Sequence, residues 1–250
     1  MPHDRERNGT LAGERRAVIH PLWHARRRRR GRLVFALDAT SSRSVGWGAA
    51  QRLTDAFFSV LPGELDVALA VHGGSELHTF TPFTANPALV RRAAARVCCQ
   101  AGGTRLNDIL QRVIETNGTN VLVYVGDSFE ESEAEAYRLA DALRGNGTRV
   151  VILFDRDPAD GPTRDFHIFR EIARRTGGAV LPFDPSSLAR LRDLLAAIAV
   201  LAIGGPALLA ARLQTMPAAA SLLEKLGERP APNLGRRRPS PLAYFPARRS

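Results

Sequence analysis

Four short runs of nearly unbroken apolar residues constrain this chain most: LVFAL (33–37), LDVALAV (65–71), NVLVYVG (120–126) and TRVVILF (148–154). A continuous apolar run without polar alternation is what a central parallel strand, covered on both faces, requires. Segments with helical spacing separate them: VGWGAAQRLTDAFFSVL (45–61), residues 86–99 opened by Asn-Pro, LNDILQRVIE (106–115), and the acidic SFEESEAEAYRLADALRGNG (128–147). ELHTF (76–80) reads as a strand after a turn at His72-Gly73-Gly74, and AVLPF (179–183) as another. Helices are predicted over 165–178, 186–202 and 216–228. Strands alternating with helices imply right-handed βαβ units. The expected class is α/β: a doubly wound, mostly parallel central sheet with helices on both faces, followed by a C-terminal helical extension.

Charge is distributed unevenly over the 250 residues. Residues 1–32 hold ten Arg and three acids, and residues 228–250 hold six Arg and one acid. The stretch between them carries nineteen basic and twenty-one acidic residues. A sequence pI of 11.0 therefore describes the ends, not the domain. Such ends can bind nucleic acid without sequence specificity, or serve as solvated tails. Cys98 and Cys99 are adjacent, with no CxxC spacing, and are expected as reduced thiols on a helix. The first residues have no apolar core of a signal peptide, which points to the cytoplasm. LLAAIAVLAIGGPALLAA (194–211) is uncharged and reaches the lower limit of a membrane span. Its Gly-Gly-Pro centre suits one helix ending and another beginning, so no span is expected.

Ligands of open α/β sheets bind at the carboxyl ends of strands, near a topological switch point. Two apolar strands end there in aspartate: Asp38 after LVFAL and Asp127 after VLVYVG. Asp38-Ala39-Thr40-Ser41-Ser42 then sets oxygen-bearing side chains at alternate positions. Hydroxyls and carboxylates are hard donors that suit Mg²⁺ with several retained waters. The histidines offer no alternative: His20 and His24 lack a third ligand, and His72, His78 and His167 fall on separate elements.

This pattern resembles a von Willebrand factor A (VWA) domain with its metal-ion-dependent adhesion site. The first element of that family, Asp-x-Ser-x-Ser, corresponds to Asp38 to Ser42, with Thr40 in place of the commoner Ser. The threonine of a Gly-rich loop opening a helix corresponds to Thr104 in Gly102-Gly103-Thr104-Arg105-Leu106. The third-element aspartate is Asp127, in Gly126-Asp127-Ser128 rather than Thr-Asp-Gly. FREIARRTGGAVLPF (169–183) resembles the penultimate helix and last strand. The resemblance implies a Rossmann-like fold over 32–202; composition and helical spacing add a basic flexible arm over 1–31, a helical extension over 203–228 and a disordered Pro/Arg-rich tail over 229–250. It also implies that Asp38, Thr40, Ser42, Thr104 and Asp127 hold one Mg²⁺ or Mn²⁺. Thr40 and Ser42 would ligate directly, Thr104 directly or through water, and the aspartates mainly through water.

The function implied is metal-dependent binding of a protein partner in an intracellular assembly, one containing an ATPase among the candidates, without catalysis. Two alternatives stay open. A VWA-type scaffold could bind no metal, with Thr40 and Ser42 capping the following helix. Gly126-Asp127-Ser128 with Glu130 and Glu131 also resembles the last acidic motif of haloacid-dehalogenase-like phosphatases, making Asp38 a nucleophile. That family wants a carboxylate where Thr40 stands and a nearby lysine, and Lys225 is the only lysine.

Overall fold

The computed structural model describes residues 30–40, 64–156, 162–183 and 187–227. The expected helix over 45–61, residue Ser42 and both basic ends lie outside these residues. Six strands form one sheet: β1 (Gly31–Asp38), β2 (Leu65–Gly73), β3 (Glu76–Phe80), β4 (Val121–Gly126), β5 (Arg149–Phe154) and β6 (Ala179–Pro182). Their order is β3-β2-β1-β4-β5-β6. Only β2–β3 is antiparallel. The helices are α1 (Pro87–Ala94), α2 (Leu106–Thr116), α3 (Glu133–Gly145), α4 (Arg164–Thr176), α5 (Leu188–Ala210) and α6 (Pro217–Lys225).

The apolar runs divide their side chains by parity, as a period of two demands. Leu33, Phe35, Leu37, Val67, Val123 and Val151 join α1, α5 and α6 in one core. Val34, Ala36, Ala68, Leu122, Tyr124 and Ile152 join α2, α3 and α4 in the other. Both faces are thus covered, which is why the strands read as unbroken apolar runs. From β1 the chain runs outward through β2 and β3, then crosses to β4 on the other side of β1. The topological switch point therefore lies between β1 and β4.

Three helical expectations need correction. The acidic segment is helical from Glu133, not from 128: Ser132 is the N-cap and its hydroxyl accepts from the Glu135 amide at 3.4 Å. Residues 127–132 are instead drawn down as a loop by Phe129, buried against Phe169. The helix expected over 86–99 ends at Ala94. The amides of Arg96 and Val97 bond back three residues, tightening the last turn, and the chain then straightens so that the Gln100 amide reaches the Ala39 carbonyl at 2.9 Å. Cys98 and Cys99 therefore lie beyond the helix, Cys98 exposed and Cys99 half-buried.

The Gly-Gly-Pro stretch behaves as its residues dictate. Gly205 adopts φ 67° and ψ −169°, and Pro206 opens the next helical turns. Ala189–Ala210 is still the one helix among the described residues long and apolar enough to cross a membrane. Its first part, however, packs on the sheet: Leu195, Ala197, Ile198 and Ala199 are fully buried in the core of β1. After the kink, Leu209 meets Ala219, Leu222 and Leu223 of α6 in that same core. Replacing Ile198 by Ala should cost about 2–5 kcal/mol, the usual price of a truncated buried aliphatic. Urea unfolding of the two proteins measures it. A loss below about 0.5 kcal/mol, the scale of surface substitutions, would remove α5 from the core.

Candidate functional site

β1 delivers Asp38 to the switch point. Leu37 pairs with Val125, so Asp38 stands level with Gly126, one residue short of Asp127. Asp38 is 1% exposed, and its Oδ1 accepts from the Thr40 amide at 2.9 Å. An aspartate that bonds the backbone two residues on turns its own chain, an Asx-type turn. The turn is pinned on both sides. The Ala39 amide donates to the His72 carbonyl at 2.8 Å, and Thr40 forms an isolated parallel bridge with Gln100. Thr40 is buried.

The second loop arrives through glycine. Gly102 has φ 150°, and a Cβ there would lie 2.5 Å from the backbone of Gly74 and Ser75. Only glycine lets this loop lie so close to the β2–β3 turn. The Gly103 amide donates to Ser75 Oγ at 2.8 Å, and Arg105 Nε to the Ser75 carbonyl at 2.6 Å. Arg105 is thereby turned to the turn backbone. Thr104, buried, accepts from the Glu130 amide at 2.9 Å. Glu131 also accepts from the amides of Leu106 at 2.5 Å and Asn107 at 2.9 Å. Burial pushes the Glu131 carboxyl above its usual range; the Asn107 and Leu106 amides and the Thr104 hydroxyl oppose that rise.

Asp127 is half-buried at the end of β4, and Ser128 Oγ donates to its Oδ1 at 3.4 Å. Beneath the loops lies His72, with no exposed surface. The Arg105 amide donates to His72 Nδ1 at 3.3 Å, which leaves the ring proton on Nε2, 3.0 Å from Tyr124 Oη. The two rings stack, with centroids 5.8 Å apart and planes at 13°. His72 Nδ1 lies 3.9 Å from Asp38 Oδ1, an approach that is ionic only when the ring is protonated.

The structure places Asp38, Thr40, Thr104 and Asp127 at one sheet edge; Ser42 is outside the described residues. His72, Tyr124 and Glu131 complete the arrangement: the sequence set His72 aside as a metal ligand, placed Glu131 only in the phosphatase-like motif, and did not single out Tyr124. The Ser-x-x-Glu of residues 132–135 is a capping box that would have started α3 at its true place and left Glu131 on a loop. Among the described residues no group of three or more His, Cys, Asp or Glu could hold a metal ion. What the edge offers is hydroxyls with two aspartates, a hard-oxygen set that fits Mg²⁺ or Mn²⁺. Beside it opens a cavity of about 390 Å³ lined by Thr104, Arg105, Asn107, Asp108, Glu130 and Glu131, among others.

No protein-family model and no curated protein matches the sequence. Solved structures do. A von Willebrand factor type A protein from Catenulispora acidiphila superposes with a TM-score of 0.56 at 20% identity, over 68% of this chain. The VWA domain of SpRpn10 superposes with a TM-score of 0.52 at 13% identity, over 65% of this chain and 94% of that one. The chain has the von Willebrand factor A fold. It spans 43% of the length of the Catenulispora protein.

In this VWA fold the buried His72–Tyr124 pair supports the floor of the edge. Tyr124→Phe would leave the His72 Nε2–H buried without its acceptor. It should lower stability by about 1–3 kcal/mol with the fold intact, measured as a shift of the urea midpoint. An unchanged midpoint would mean that the His72–Tyr124 bond adds nothing to the stability of the edge.

Proposed function

We propose that the chain is a divalent-metal-dependent protein-binding module, with Asp38, Thr40, Ser42, Thr104 and Asp127 holding one Mg²⁺ or Mn²⁺. The observation that supports this reading is that Asp38 ends β1 and Asp127 follows β4 on either side of the switch point of a VWA fold, with Thr104 bonded to the Glu130 amide in the loop after β4. Bound there, the ion would supply a Lewis-acidic position open to an oxygen of the partner. The chain's own part is to hold the ion through neutral hydroxyls while two aspartates orient its waters, which leaves most of the positive charge outward. The adjoining cavity lends the scheme its switch. Asp108, Glu130 and Glu131 repel a carboxylate from an empty site, whereas a divalent cation is the largest local charge and reverses that preference. The partner is accordingly a protein presenting Asp or Glu, in a cytoplasmic assembly; one containing an ATPase fits this reading.

Phosphatase chemistry is disfavoured by placement. Asp38 is 1% exposed, and Thr40 stands where that family carries its second carboxylate. Lys225 closes α6 and lines a groove with Gly177 and Gly178, just before β6 begins, at the opposite edge of the sheet. Non-specific contact with nucleic acid remains a property the Arg-rich ends would supply by charge alone.

Metal titration of the wild type, Asp38→Ala and Thr104→Ala tests the site, with folding followed by circular dichroism. The wild type should bind Mg²⁺ or Mn²⁺ at or below millimolar concentration, and each variant at least about tenfold more weakly. Unchanged binding in both folded variants, or none in the wild type, ends the metal reading. A pull-down with Mg²⁺ and again with EDTA should recover partner only in the first. Equal recovery would leave a VWA scaffold that needs no ion.

A further inference from the structure

Helix α2 begins without a side-chain cap of its own: Arg105 stands at the N-cap position and makes no capping hydrogen bond. Its amides at Leu106 and Asn107 are satisfied from a distance of about two dozen residues, by the two oxygens of Glu131. The Thr104 hydroxyl, next to those amides in sequence, is among the groups that favour the ionised form of the same carboxylate. A hydroxyl oxygen has two lone pairs and one proton. At Thr104 one lone pair is taken by the Glu130 amide. Without the Glu131 carboxylate the two α2 amides would lose their acceptor, and the loop ahead of α2 would lose one of its ties to the loop after β4.

We propose that Glu131 is a positioning residue of the metal site: it clamps the N-terminus of α2, orients the Thr104 oxygen, and locks the loop bearing Asp127 to the loop bearing Thr104. This rests on the metal-binding reading above. The geometry separates Glu131 from its neighbour. Glu130 is exposed and acts through its backbone amide, while its carboxylate lies over Gly103, 3.0 Å from where a Cβ would stand. The two residues carry the same charge at nearly the same place, yet only one serves as a clamp. The clamp is also not all that holds the loop: Asn107 Nδ2 donates to the Ser132 carbonyl at 3.2 Å, and Phe129 is anchored in the core. Loss of the Glu131 carboxylate therefore leaves a folded protein with a loosened site.

The test compares Mg²⁺ titrations of the full chain as wild type, Glu131→Ala, Glu131→Gln and Glu130→Ala, with amide exchange read at Leu106 and Asn107. Loss of an outer-shell partner typically weakens metal affinity about 10–100-fold, which is expected for both Glu131 variants. Glu130→Ala should change affinity by less than about fivefold, the effect of one exposed charge. Protection of the Leu106 and Asn107 amides should fall in Glu131→Ala and persist in Glu130→Ala. If Glu131→Ala does not fold, the isosteric Gln variant carries the measurement. Equal weakening by the Glu130 and Glu131 variants would reduce the effect to charge and overturn the proposal. So would wild-type affinity in a Glu131 variant whose two amides have lost protection, a result that leaves the metal reading standing. A wild type that binds no Mg²⁺ removes the metal reading itself, and this proposal with it.

Discussion

A sheet covered on both faces has no room for a polar side chain along its strands. Desolvating one without a partner costs several kcal/mol, more than the domain's margin of stability can absorb often. In this protein the rule is nearly complete: Val34 to Leu37, Val121 to Val125 and Val150 to Leu153 are apolar or, as with Tyr124, apolar with a satisfied polar tip. Polar chemistry is thereby driven to the strand ends, and the switch point concentrates it. That point lies between β1 and β4, where the strand order changes direction. The same burial that makes the sheet stable decides where the candidate site lies.

His72 is the exception that shows how the edge is held. It sits inside β2, fully buried, at the level of Asp38. Each of its ring nitrogens has work: Nδ1 takes the Arg105 amide, Nε2 meets Tyr124 Oη. A leucine there would pack as well but could not tie the loop ahead of α2 to the floor of the sheet. Satisfied on both sides, a buried polar pair specifies one arrangement of the chains around it. The histidine thus links β2, β4 and the Thr104 loop.

How much of this was legible depends on the range of the interaction involved. The strands were readable because a two-sided burial writes itself into consecutive residues. The break at Gly205-Pro206 was readable because backbone preference is local. Asp38, Thr104 and Asp127 were readable as strand ends and a glycine-rich loop. The start of α3 was misplaced because Glu130 and Glu131 favour a helix on their own, whereas the fold uses Phe129 as a core residue and Glu131 as a cap for another helix. The end of α1 was overrun for a related reason. Nothing in Val97-Cys98-Cys99 forbids a helix; the demand comes from Gln100, which must pair beside Ala39 and Thr40. His72 was read as the start of a turn, though β2 runs on to Gly73, because its partners, Arg105 and Tyr124, lie thirty and more positions away.

Electrostatics supplies the last step. Apart from its Arg-rich ends the chain is slightly acidic, and the edge at the switch point is more acidic than the whole, with Asp38, Asp127, Asp108, Glu130 and Glu131 near one another in the fold. Two arginines offset part of this charge: Arg105 lines the same cavity, with its Nε on the neutral Ser75 carbonyl, and Arg164 pairs with Glu133. Helix α2 contributes some positive potential at its N-terminus, but Glu131 already consumes it. An edge of this sign, on its own, attracts cations and rejects anions. A small divalent cation held by hydroxyls would turn the field over within a few ångströms while leaving the rim acidic. On the proposed reading, recognition of an acidic side chain would then depend on reaching the ion itself, and the rim would favour a partner whose carboxylate projects and whose surroundings are neutral or basic.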